Sequence, residues 1–178
     1  MIKPDELGIA LSAVLFPDRN LKEFVKALKN KKHRIWLAGN GGSASTVSHF
    51  ACDLSTLGYD VTCMVDNVSN LSRLTNDFGW DKVFLEQIEG RFKMHDVLII
   101  ASVHGGTLKG DGVWSSNLVV VCKRAKELGG TVLAFLGCDG GMIKTIADVA
   151  IVVPHESAYV VEGIHGVLTH LICSELKQ

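Results

Sequence analysis

Residues 35–53 decide the fold, and they read Ile-Trp-Leu-Ala-Gly-Asn-Gly-Gly-Ser-Ala-Ser-Thr-Val-Ser-His-Phe-Ala-Cys-Asp. An apolar run ends at three glycines within four residues, and a helical pattern follows. The stretch predicts a buried strand, a tight turn and a helix N-terminus. Glycines let the backbone approach a ligand closely, and the unpaired N–H groups and dipole at the start of a helix favour anions. The turn is therefore a candidate phosphate cradle.

Two ionisable side chains follow the turn on the same predicted helix. His49 and Asp53 are four residues apart, which places them about 40° apart around the helix axis. A phosphate site and a His/Asp pair would thus share one helix.

The composition predicts one globular domain, at most with a terminal arm, since the chain has 178 residues, 47% of them hydrophobic. A net charge of −1 argues against a nucleic-acid or membrane-surface binder. The N-terminus does not resemble a signal peptide, and no apolar run approaches the roughly 18 residues of a membrane span. The five cysteines are scattered without a Cys-x-x-Cys motif, which predicts free thiols in a reducing cytoplasm.

Five apolar strands alternate with helices along the chain. This pattern predicts an open parallel α/β sheet whose ligands bind beyond the carboxyl ends of the strands. The predicted strands are 33–38, 60–65, 96–101, 131–136 and 148–153. The predicted helices are 4–30 (divided at Pro17), 43–57, 67–78, 80–90, 115–128, 140–147 and 157–178, with an irregular segment at 108–114.

Two glycine turns rich in hydroxyl groups lie at that sheet edge, at 39–43 and at 102–107 (Ser-Val-His-Gly-Gly-Thr). Together they favour a site for a single phosphate group. One alternative is a dinucleotide site, because Gly39-x-Gly41-x-x-Ala44 fits that fingerprint and Asp66 stands where a ribose-binding acid would. The other is that both are only tight turns.

The last predicted helix carries Glu162, His165 and His170 among apolar residues. Glu162 and His170 are eight residues apart, about 80° around the axis and two turns along it. With His49 and Asp53 they can form a four-ligand metal site, plausibly for zinc, or an acid–base pair. His165 and His155 are interpreted as structural. A helix so apolar on all sides is buried, which predicts a homo-oligomer.

These motifs resemble the sugar isomerase (SIS) domain and, within it, the phosphoheptose isomerases. The resemblance spans about residues 20–176. Its motifs are Gly-Asn-Gly-Gly-Ser at 39–43 with His-Phe-Ala at 49–51, Asn-Asp-Phe-Gly at 76–79 with Val83, Phe84 and Gln87, Asp-Gly-Gly at 139–141 with Ala147 and Asp148, Val-Pro at 153–154, and Ile-His at 164–165 with His170.

The resemblance implies a flavodoxin-like three-layer sandwich with a five-stranded parallel sheet over residues 31–178, preceded by an N-terminal helical arm at 1–30. It implies an intramolecular oxidoreductase that isomerises sedoheptulose 7-phosphate to D-glycero-heptose 7-phosphate. This would be the first step towards nucleotide-activated heptose for lipopolysaccharide or capsule. It also implies a cytoplasmic homotetramer with active sites shared between subunits. The alternative is a non-catalytic phosphosugar-binding or protein-partner module, of the type associated with a replication initiator.

The resemblance also assigns roles to residues. Asp53 and His170 would be catalytic, and one Zn²⁺ per subunit would be bound without a nucleotide cofactor. The metal ligands would be His49, Asp53, Glu162 and His170. The phosphate and sugar would be bound by Asn40, Gly41, Gly42, Ser43, Asp77, Ser102, His104 and Thr107.

Four features depart from the family pattern. Asp53 replaces Glu, and Glu162 replaces the usual Gln. His104 and Gly106 change a turn that usually reads Ser-x-Ser-Gly-Asn-Ser, and residues 108–114 resemble an insertion. His104 either adds a charge-assisted contact to phosphate or caps that insertion.

Overall fold

The computed structural model describes residues 4–16, 18–30, 32–107 and 114–177. These residues form a five-stranded parallel sheet flanked by eight α-helices. The predicted divider Pro17 and most of the predicted irregular segment, residues 108–113, lie outside the described residues.

The strands follow the order β2-β1-β3-β4-β5, which is the flavodoxin-like arrangement. All five residues of β1 and all six of β3 are buried, because helices cover both faces of a parallel sheet. The strands are β1 (Ile35–Gly39), β2 (Val61–Cys63), β3 (Val97–Ser102), β4 (Thr131–Gly137) and β5 (Val149–Val153).

The helices divide between the two faces of the sheet. One layer contains α1, α2, α3 and α8, and the other contains α4, α5, α6 and α7. The helices are α1 (Pro4–Leu15), α2 (Arg19–Leu28), α3 (Gly42–Thr56), α4 (Val68–Phe78), α5 (Leu85–Ile88), α6 (Ser116–Glu127), α7 (Gly141–Ile146) and α8 (Ala158–Leu176).

Each layer has its own apolar core, because alternate side chains of a strand point to opposite faces. Phe135 of β4 stacks on Phe24 of α2 with ring centroids 4.7 Å apart, and it meets Phe50 of α3 at 6.0 Å. Trp36 of β1 is fully buried on the other face. Burying each such side chain contributes about 1.5–3 kcal/mol. The predicted three-layer fold is therefore confirmed.

The structure differs from the predicted elements mainly at residues 80–90. In place of one helix it has a 3₁₀ turn (Trp80–Lys82) and the single-turn α5. The buried side chain of Gln87 donates to the carbonyls of Val83 and Met64 and so joins this segment to the end of β2.

Helices α1 and α2 pack against the same core as the sheet, through Ala10, Val14 and Phe24. The division into an arm at 1–30 and an SIS domain at 31–178 stays a prediction. Across the described ranges, no helix is long and apolar enough to cross a membrane.

Candidate functional site

The first glycine turn links β1 to α3 in a geometry that only glycine fits. Gly41 precedes α3 with φ 56°, in the left-handed region. A Cβ on Gly39 would lie 2.7 Å from the Ser43 carbonyl oxygen. Because these two positions bear no side chain, the first N–H groups of α3 stay accessible to a ligand.

Asn40 in this turn is held by a residue that is distant in sequence. Its amide nitrogen donates to Asn117 Oδ1 at 2.9 Å, and Asn117 donates back to Asn40 Oδ1 at 3.1 Å. Asn117 lies on α6 and is fully buried. The pair joins the first turn to α6 and fixes its orientation.

The second turn follows β3 and packs against the start of α7. The Gly105 N–H donates to the Ser102 hydroxyl at 3.1 Å. The Gly105 carbonyl accepts from the Ile143 N–H at 2.9 Å, and the Gly106 carbonyl accepts from the Met142 N–H at 3.1 Å. A Cβ on Gly105 would lie 1.9 Å from the Gly140 carbonyl oxygen, so this position also requires glycine.

A cavity of about 220 Å³ lies between the two turns. It contains six of the eight residues predicted to bind the phosphate and sugar. Its small size favours a single phosphate group over a dinucleotide. It is lined by Asn40, Gly41, Gly42, Ser43, Ser102, Val103, His104, Ser115, Ala158 and Glu162.

The other two predicted binding residues do not line this cavity. Asp77, on α4, forms an ion pair with Arg73 at 3.5 Å. The Thr107 N–H donates to the Trp114 carbonyl at 2.8 Å. Sequence reasoning missed Ser115 as a lining residue, although a serine at the start of a predicted helix was a usable signal.

His104 lies between this cavity and a larger neighbouring one of about 740 Å³. Its Nδ1 atom is 3.4 Å from Cys138 Sγ, and its ring centroid is 5.3 Å from that of Trp114. The imidazole therefore contacts the last residue of the apparent insertion while also facing the phosphate cavity. Both predicted roles of His104 remain open.

A second group of functional side chains lies where α3 meets α8. Asp53 Oδ2 is 3.5 Å from His49 Nε2 and 3.6 Å from His170 Nδ1. The two imidazole rings meet edge to face, with centroids 5.2 Å apart. A single oxygen of the Asp53 carboxylate thus lies next to both imidazole rings.

This group fits a zinc ion. One ligand atom from each of His49, Asp53 and His170 lies within 4.8 Å of the others. Two imidazoles and a carboxylate are ordinary zinc ligands, and their spacing of 3.5–3.6 Å is close to the ligand–ligand distance of about 3.4 Å in a tetrahedral site.

Glu162, the predicted fourth ligand, is not part of that group. Its carboxylate packs against the backbone of Gly42 instead: a Cβ there would lie 2.2 Å from Oε2 and 2.6 Å from Oε1. The structure thus brings three of the four predicted ligands together and places the fourth in the phosphate cavity.

The two histidines interpreted as structural lie outside both groups. Burial lowers the pKa of His165 to about 4, and its Nε2 atom is 3.1 Å from the Leu136 carbonyl oxygen. His155 Nδ1 accepts from the Ser157 N–H at 3.0 Å, just before α8. These contacts connect α8 to the carboxyl ends of β4 and β5.

The fold and the two groups of residues together define an α/β domain with a phosphate-sized cavity and a candidate metal site along one helix contact. The chain is 32% identical over 160 residues to the phosphoheptose isomerase of Helicobacter pylori strain P12, which covers 86% of this chain and 79% of that protein. It superimposes on phosphoheptose isomerase GmhA from Neisseria gonorrhoeae with a TM-score of 0.88 and 26% identity, covering 97% and 94% of the two chains.

The chain also matches the lincomycin biosynthesis protein LmbN of Streptomyces lincolnensis, at 41% identity over 146 residues. It spans about half of that protein, 52%, and the match covers 76% of this chain. No protein-family model matches the sequence. The match to the Helicobacter pylori protein, at 32% identity over 79% of its length, shows that this chain belongs to the phosphoheptose isomerase family, which confirms the family predicted from its motifs.

Proposed function

We propose that this chain is an aldose–ketose isomerase that converts sedoheptulose 7-phosphate to D-glycero-heptose 7-phosphate. The observation that carries the proposal is the Asp53 carboxylate, shared by two histidines at 3.5 and 3.6 Å. A phosphate-sized cavity lies at the other end of the same α3–α8 contact. Membership of the phosphoheptose isomerase family supports the substrate.

The reaction moves a proton between C1 and C2 through a cis-enediol. Asp53 is the base: it takes the proton from C1 of the ketose and returns it to C2. His170 acts as the acid that protonates the C2 oxygen as the C1–C2 double bond forms, and it takes up the proton of the C1 hydroxyl as the aldehyde carbonyl forms. Proton transfer by positioned groups of this kind contributes about 10²–10⁴-fold to a rate.

One Zn²⁺ per subunit would be held by His49, Asp53 and His170, with Glu162 as a fourth ligand when its side chain turns away from Gly42. When bound, the ion supplies charge stabilisation for the two sugar oxygens. A carboxylate committed to a metal is a weaker base, so the two roles of Asp53 compete. Elemental analysis of the purified protein tests the metal content.

The enzyme acts as a homotetramer whose active sites are shared between subunits. In the single chain the side chains of His49 and His170 are 60% and 63% exposed, so a neighbouring subunit has access to them. Tyr159 and Val167 add exposed apolar surface on α8. Light scattering at micromolar concentration should give about four times the chain mass of 19.3 kDa. A monomer would refute the assembly.

We place the enzyme in the cytoplasm, at the entry to nucleotide-activated heptose for lipopolysaccharide or capsule. All five cysteines are free, as a reducing compartment favours.

A turnover assay with sedoheptulose 7-phosphate tests the proposed activity. Conversion is the expected result, and phosphosugar binding without conversion would indicate the non-catalytic module instead. A second candidate keeps the chemistry and changes the sugar. The cavity of about 740 Å³ beside His104 favours it, because it leaves room next to the phosphate cavity for a sugar of another length. Comparing 2-ketose phosphates of different chain length distinguishes the two.

A further inference from the structure

The phosphate cavity is lined by an acidic side chain, that of Glu162. The Glu162 carboxylate lies against Gly42, the first residue of α3, and it lines the cavity together with Ser43 and Ser102. Helical side chains lean towards the N-terminus of their helix, and for Glu162 that direction leads to the glycine turn. The positive end of the α3 dipole favours a carboxylate there, as it would favour a phosphate.

Among the residues that the structure describes, the lining of this cavity offers little positive charge to offset a second anion. Its ten lining residues include no Lys or Arg, and His104 is the one side chain among them that can carry a positive charge. A phosphate in this cavity would lie close to the Glu162 carboxylate, and the two anions would repel each other at short range.

The α3–α8 contact connects this carboxylate to the predicted metal ligands. Gly42 and Glu162 lie at one end of it, and Asp53 and His170 lie at the other. Glu162 and His170 are separated by about 12 Å along α8. Two extended side chains can share one ion across that distance, so a metal ion would draw Glu162 out of the phosphate cavity.

We propose that Glu162 is a resident anion of the phosphate cavity that the incoming phosphate must displace, and that a metal ion at His49, Asp53 and His170 favours this displacement. Metal and phosphate then bind with positive coupling, and the coupling is reciprocal. This inference rests on the proposed phosphosugar function. Glu162, which stands where the family usually has Gln, would then make the affinity for phosphate depend on the metal.

The test is calorimetric titration of inorganic phosphate into the full chain, first with metal removed and then with one equivalent of Zn²⁺. Without metal, Glu162→Gln should bind phosphate at least about tenfold more tightly than wild type, since the amide keeps the shape and removes the charge. Zn²⁺ should tighten binding by the wild type and change binding by Glu162→Gln less than about twofold. Glu175→Gln, the same change near the end of α8, should match wild type in both conditions.

Equal phosphate affinity of wild type and Glu162→Gln without metal overturns the inference and leaves the phosphate site intact. Tighter binding by the variant together with no Zn²⁺ effect on wild type supports the resident anion and overturns the coupling. Absence of phosphate binding by every variant in both conditions refutes the proposed phosphate site, and the inference with it.

Discussion

Replacing Asp53 with Asn tests the proposed chemistry with the smallest change of shape. The substitution exchanges one carboxylate oxygen for an amide NH₂ group and removes the negative charge. In the structure, Oδ2 of this carboxylate is the atom nearest to both imidazoles, 3.5 Å from His49 Nε2 and 3.6 Å from His170 Nδ1. An amide at this position cannot accept a proton from the sugar carbon.

The expected loss follows from the role of the base. Removing a general base costs about 10²–10⁴-fold, so kcat should fall by at least about 100-fold, equivalent to about 2.7 kcal/mol in the barrier. In the absence of metal, phosphate affinity should stay within about twofold of wild type, because the phosphate cavity is lined by residues at the other end of the α3–α8 contact. His170→Gln should lower kcat by a similar factor.

The assay is steady-state conversion of sedoheptulose 7-phosphate, paired with calorimetric titration of phosphate into the metal-free protein. Asp18→Asn is the matched control, since that carboxylate pairs with Lys22 at 2.9 Å on the exposed side of α2. It should leave kcat unchanged. If Asp53→Asn keeps more than a tenth of wild-type kcat, Asp53 is not the base. If Asp53→Asn weakens phosphate binding as strongly as it lowers kcat, the Asp53 group and the phosphate cavity do not act separately.

Three further predictions concern phosphate binding, pH dependence and backbone strain. Ser43→Ala should weaken phosphosugar binding by roughly tenfold in calorimetry, the value of one hydrogen bond to a charged group, whereas Ser45→Ala should not. Because burial lowers the pKa of His165 to about 4 from the ordinary 6.5, this side chain is neutral in the folded protein, and stability falls as the unfolded chain takes up its proton. Between pH 7 and pH 5 the wild type should lose about 2 kcal/mol more unfolding free energy than His165→Asn in urea denaturation. Equal losses would contradict this. Gly105→Ala places a Cβ 1.9 Å from the Gly140 oxygen at φ 66°, so urea denaturation should show a loss of at least about 2 kcal/mol. A stability equal to wild type would mean that this turn shifts without cost.

Local patterns predicted the sheet well, because its signals are continuous in sequence. β3 is apolar throughout and buried on both faces, and the pattern for such a strand is unambiguous. Residues 80–90 were harder, since the buried Gln87 side chain bonds to the carbonyl of Met64, 23 residues away, and periodicity does not show such a contact.

The site was predictable where its residues follow helical spacing, and less so where it depends on distant partners. His49 and Asp53 are four residues apart, and the structure places them together. The tie between Asn40 and Asn117 spans 77 residues, and no local signal marks it. Spacing along α8 placed Glu162 two turns from His170, but it did not show that Gly42 leaves room for that carboxylate at the start of α3.

The two acidic departures from the family pattern have linked consequences at the site. Asp53 is one methylene shorter than Glu, and its carboxylate remains in reach of both imidazoles. A Zn²⁺ ion bound by Asp53 and Glu162 together would have its charge balanced by two carboxylates, and it would polarise sugar oxygens less than an ion bound by one. With Glu162 in the phosphate cavity, the ion would keep more of its charge, but a phosphate would meet a resident anion. The position of the Glu162 side chain thus sets both how strongly the metal polarises sugar oxygens and how tightly phosphate binds. Catalysis requires a position of this side chain that allows both the polarisation and the binding. This is why Glu162→Gln, which restores the family's usual residue, should change phosphate binding and metal response together.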